Sequence, residues 1–146
     1  MTVSRTRLCG VYLAIALLAL IATWHQNLVY FGGNFWAENV QFWKDTLATH
    51  AAVSITADLF LLGLVVVIWM VAEARRLGIA FVWIYVVLSA VVAISVAVPL
   101  FLVARERRLH ALRPEGDAVT LGRGDLIGIG LFALPCLILS LWSLFH

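Results

Sequence analysis

The chain has 146 residues, of which 64% are apolar, and a mean hydropathy of +1.03. A soluble domain averages about 45–50% apolar, and a chain this short cannot hide the excess in a core, so the composition points to a bilayer. Ten Lys+Arg against eight Asp+Glu leave a net charge of +2, too balanced to predict binding of nucleic acid or of acidic substrates.

The first apolar run, 8–24, has 17 residues and no charge. Arg5 and Arg7 ahead of it also suit a secretory signal, but the exit around Ala19 and Ala22 lacks the paired small residues that a signal peptidase reads. An uncleaved transmembrane helix is the expectation. Cys9 here and Cys136 far downstream read as small buried hydrophobes rather than a disulfide or a metal pair.

After Gly32 and Gly33, residues 35–46 place Trp36, Val40, Trp43 and Leu47 on one helical face. Glu38, Gln41, Lys44 and Asp45 fall away from that face, and Asn34 is suited to capping its start. This predicts a short amphipathic helix lying in the headgroup region, with a lid over a cavity as the functional alternative.

The second run, 51–72, has 22 residues and one charge, Asp58. An ionised Asp near the bilayer centre costs roughly 2.5–3.5 kcal/mol on insertion scales, so it is expected to face the bundle interior or water. His50, Ser54 and Asp58 share a helix face at four-residue steps, and the stripe continues to Trp69. Asp58 is either structural glue between helices or a ligand or proton site, with His50, Ser54 and Trp69 beside it. No spacing of His or Cys supports a metal.

The third run, 78–104, is uncharged over 27 residues, and as one helix it extends to roughly 40 Å. It must therefore tilt, bend or leave the membrane, and Pro99 invites a kink. Glu73, Arg75 and Arg76 before it, and Arg105 and Glu106 after it, read as anchoring charges at opposite helix ends. Residues 105–125 read as a solvated loop with a turn at 114–116. The fourth run, 126–145, has 20 uncharged residues and a bend expected at Pro135.

Four runs of this length need internally paired backbone, hence an all-α, four-transmembrane-helix bundle in one domain. Helix parity then puts the N-terminus, Arg75, Arg76, Trp69, Trp83 and Trp142 on one side. Trp24, Trp36, Trp43 and residues 105–125 fall on the other. The basic residues divide four against six, so the overall count and the flanks of the first helix favour opposite orientations, and dual insertion stays open.

Three patches carry a family resemblance: Ala-Ala-Val-Ser-Ile-Thr-Ala-Asp58-Leu, Glu73-Ala-Arg75-Arg76-Leu-Gly, and Ala-Val-Pro99-Leu-Phe-Leu102 leading to Arg105-Glu106-Arg107. Through them residues 34–108 resemble small bacterial membrane proteins of a family of unknown function, DUF2834. That family usually has Asn where His50 stands, and its members typically stop before a fourth helix. The resemblance implies a bacterial inner-membrane protein and carries no activity or cofactor. The leading expectation is a non-enzymatic bundle that binds a small amphipathic or lipid-like molecule in a cavity near Asp58. The alternatives are an accessory subunit of a larger membrane complex, a homodimer included, and a small proton-coupled exporter. An enzyme ranks last, because no second buried acid, base or nucleophile accompanies Asp58.

Overall fold

Three polar side chains set the helix starts. Ser4 accepts from the Arg7 amide at 3.4 Å, Asn34 from Trp36 and Ala37 at 3.0 and 3.4 Å, and Thr49 from Ala52 at 3.1 Å. Each satisfies amides that a first helical turn leaves without a partner. The computed structural model describes residues 2–113 and 119–145. Among these, six helices follow in order: α1 (Arg5–Asn27), α2 (Phe35–Thr46), α3 (His50–Leu77), α4 (Val82–Val91), α5 (Ile94–Leu112) and α6 (Arg123–Trp142). A 3-10 turn, Leu28–Tyr30, extends α1, and two-residue strands β1 (Thr2–Val3) and β2 (Val119–Thr120) pair antiparallel. The turn expected at 114–116 lies outside the described residues.

The third apolar run is not one helix. It breaks at Val92 and Ala93, where Ala93 is extended, and the chain doubles back as an α4–α5 hairpin. On a single helix Tyr85 and Phe101 would stand about 24 Å apart. Their rings are 5.6 Å apart, edge to face. From the break, α5 runs parallel to α3. Gly63 meets Ile94, Trp69 meets Phe101, Glu73 meets Arg105, and the Leu77 carbonyl meets Arg108. The hairpin tip therefore lies midway along α3, about 20 Å from either end.

This geometry corrects three expectations. Among the described residues, three helices rather than the four expected are long and apolar enough to cross a membrane: Arg5–Tyr30, His50–Leu77 and Arg123–Trp142. The segment expected as a loop from 105 is helical to Leu112. Arg105 and Glu106 lie beside Glu73, at the same end of the molecule rather than the opposite one.

The two ends of the molecule are now defined by contacts. Arg5 donates to the Arg113 carbonyl at 3.4 Å, and β1 pairs with β2, so the start of α1 and the ends of α3 and α5 share one end. Gln26 donates to the Ser143 carbonyl, which places the end of α6, with Trp142, beside the end of α1 and not across from it. Arg5, Arg7, Arg75, Arg76, Arg105, Arg107, Arg108, Arg113 and Arg123 thus gather at one end, and Lys44 stands at the other.

Packing is concentrated in the arginine half. Met70 and Phe101 are fully buried, with Ala74 and Val82 around them, so α3, α4 and α5 meet on one small cluster. Gly78 closes α3 in the left-handed region, φ 66°, and the amides of Gly78 and Ile79 both reach the Ala74 carbonyl. Glycine takes that backbone conformation without a Cβ clash. α1 lies along α5, while α6 touches the rest lightly and has no buried residue. Pro99 is buried within α5, and Pro135 lies inside α6. Cys136 is exposed on α6, against the expectation of burial, and Cys9 is half-buried.

Candidate functional site

Charged groups that enter an apolar interior must find each other or stay at its edge. Here the register between α3 and α5 brings them together. Glu73 and Glu106 are both buried, each 6% exposed. Glu73 accepts from Arg105 Nε at 2.7 Å and from Arg76 at 2.8 Å, and Arg105 Nη1 reaches Glu106 at 2.8 Å. Two carboxylates and two guanidiniums make a balanced chain that ties α3 to α5. Arg108 adds a second tie, donating Nε to the Leu77 carbonyl at 2.9 Å, where the last carbonyls of α3 carry partial negative charge.

Beside this network runs an open groove of about 640 Å³. Leu13 of α1, Tyr85 of α4, and Leu100, Val103 and Ala104 of α5 form its walls, and Gly78 to Ala80 form one lip. Arg107 and Arg108 stand at its outer edge, about 10 Å along α5 from Leu100. Its inner part is apolar and its mouth is cationic, a division that suits an amphipathic molecule. Among the described residues, no group of His, Cys, Asp and Glu is placed to hold a metal.

The residues singled out by sequence divide between two places. Glu73, Arg76, Arg105 and Glu106 are brought together, whereas Arg75 is exposed and outside the network. His50, Ser54 and Asp58 are all exposed on α3, and the stripe does not face the bundle. The reason is angular. At about 100° per residue, Asp58 lies some 140° around the helix from Gly63, which faces the hairpin. Trp69 lies about 20° around the helix from Asp58, still on the stripe, but its ring reaches across to pack edge-on against Phe101 at 5.6 Å and stays 39% exposed. The groove lined by Leu13, Tyr85 and Leu100 lies at the other end of α3 from Asp58. Sequence reading missed Leu13, Tyr85, Arg107 and Arg108 as neighbours. The available signal was a pair of mixed-charge clusters, Glu73 to Arg76 and Arg105 to Arg108, each with a glutamate among arginines, at the two ends of one apolar run.

The family described as a protein of unknown function, DUF2834, matches residues 11–107. The chain belongs to the DUF2834 family. Its match begins at residue 11 rather than near 34, so most of α1 is part of the DUF2834 unit together with the α4–α5 hairpin. The ion network and most of the groove fall inside that unit, and α6 falls outside it. Searches among curated proteins and among solved structures gave no match.

Proposed function

We propose that this DUF2834 protein is a non-enzymatic, multi-pass protein of the bacterial inner membrane that holds a small amphipathic or lipid-like molecule in the groove between α1, α4 and α5. The observation that supports this most is the division of the groove into apolar walls and an arginine mouth. Native mass spectrometry after mild extraction tests it. The parent is expected to keep an adduct of lipid-like mass, and Leu100→Trp, which fills the groove, is expected to lose it without unfolding. A bare chain in both spectra would rule the reading out.

Orientation follows from the gathered arginines. Basic residues mark the cytoplasmic side, so the arginine end faces the cytoplasm and dual insertion is disfavoured. α2 then lies in the opposite headgroup region. Its aromatic surface, with Trp36 77% and Phe35 59% exposed, supports that placement. Reporters fused after Arg76 and after Arg113 are expected on the cytoplasmic side, and one after Phe145 on the other. A cytoplasmic signal from all three would restore an even number of spans.

A second reading is favoured by one observation. Asp58 is exposed on a candidate span and makes no hydrogen bond or ion pair with the described residues. A carboxylate facing lipid alone is costly, so a protein partner, a second copy or the subunit of a larger complex, would cover this face of α3. Under that reading Asp58→Leu abolishes cross-linking through a cysteine at Ser54 and leaves the isolated chain as stable as the parent or more so. Unchanged cross-linking would discard it.

A further inference from the structure

We propose that the molecule in the groove is an anionic phospholipid of the leaflet at the arginine end, with its phosphate at Arg107 and Arg108 and an acyl chain along Leu13 and Leu100. This rests on the reading that the groove holds an amphipath, and it adds the charge and the leaflet.

The charge follows from which cations are already satisfied. Glu73 and Glu106 are committed to Arg76 and Arg105. Arg108 spends only Nε on the Leu77 carbonyl. Arg107 is exposed and has no hydrogen-bond or ion-pair partner among the described residues. Two guanidinium groups with free donors therefore stand at one mouth, and planar guanidinium donors match the paired oxygens of a phosphate. A zwitterionic lipid also carries a phosphate. Its ammonium group, however, would enter the field of the arginines that Glu73 and Glu106 do not neutralise and be repelled, so the net-negative headgroup is favoured.

The leaflet follows from depth. The groove lies against a hairpin that reaches only to the middle of α3. Its apolar inner part, from Val103 to Leu100, points from the arginine end toward that middle. A single lipid of the adjacent leaflet has the same arrangement, with headgroup outward and chain inward. Free phosphate would meet the arginines and leave the apolar walls unfilled.

The test is retention by the purified full chain in mild detergent, measured by native mass spectrometry and thermal shift. Phosphatidylglycerol, phosphatidylcholine, diacylglycerol and inorganic phosphate are each added. Phosphatidylglycerol is expected to be retained best and to raise the melting temperature. Arg107→Gln is expected to weaken phosphatidylglycerol about fivefold and phosphatidylcholine less, because weaker repulsion of the ammonium there offsets the lost phosphate contact. Arg75→Gln, at the same end but outside the groove, is expected to change neither. Equal weakening by Arg75→Gln would reduce the effect to diffuse charge and overturn the proposal. Inorganic phosphate displacing phosphatidylglycerol as well as another phospholipid does would overturn it too. Equal retention of all three lipids, indifferent to Arg107→Gln, would overturn the anionic assignment and leave the amphipath reading standing. Retention of none would end both.

Discussion

Replacing Glu73 by alanine is expected to destabilise the protein by about 2–3 kcal/mol and to loosen α5 from α3. The buried carboxylate accepts from both Arg105 and Arg76, and its loss leaves Arg105 with Glu106 alone. Breaking a buried pair by removing one partner is costly because the other charge stays behind. The lower part of that range applies, since the Arg105 side chain keeps 25% exposure and can turn toward water or headgroups. A lower melting temperature in detergent checks the energy. Cross-linking of Gly63→Cys with Ile94→Cys checks the geometry, and should fall in the Glu73→Ala background. The double replacement Glu73→Leu with Arg105→Leu should cost less than the sum of the two single ones, because both remove the same Glu73–Arg105 pair and Glu106 loses its partner only once. If the double variant is as unstable as the sum of the two single ones, the pair is not what joins these helices.

Phe101→Ala is expected to cost a similar amount, about 2–3 kcal/mol, for a different reason. Phe101 is fully buried where three helices meet, edge-on to Trp69 and to Tyr85, both at 5.6 Å. In water such a truncation loses transfer energy as well as packing. In a bilayer the transfer part is small, because lipid chains are as apolar as the core. What remains is the cavity and the two lost ring contacts. Phe101→Leu, which refills most of the volume, should cost less than half as much. Thermal melting of the three proteins orders them, and an alanine variant as stable as the parent would mean the hairpin closes without this ring.

Much of the architecture could be read from hydropathy, and the missing part has a physical cause. Runs near 20 apolar residues announce spans, as α1, α3 and α6 do. The cap at Asn34 and the amphipathic period of 35–46 likewise coincide with a helix. The hairpin left no such trace. Its break falls at Val91, Val92 and Ile94, flanking Ala93, with neither glycine nor proline at the turn. Hydropathy measures whether a segment prefers lipid, and a segment that enters and returns prefers it as much as one that crosses. Pro99 drew attention instead, yet it sits inside α5 and does not end it. The polar residues show the same limit. Four-residue spacing placed His50, Ser54 and Asp58 on one face correctly, but spacing alone does not say which face is packed. That was decided by Gly63 and Met70, whose pattern only gained meaning beside Ile94 and Phe101.

The half-depth hairpin also bears on how this protein is made. At 10 residues, α4 spans about 15 Å and cannot cross a bilayer. A translocon that threads helices one by one would release α1 and α3 as spans in their own right. It would have to leave α4 and α5 with both flanks on the side of synthesis. Ala93 gives the start of α5 no side-chain cap, so the first-turn amides of α5 would face lipid until α1 and α3 come together around them. Insertion and folding are therefore not separate stages for this segment. With the arginine end cytoplasmic, as proposed, slowing the release of α1 should leave α4 and α5 on that surface, exposed to quality-control proteases, while α3 is already in place.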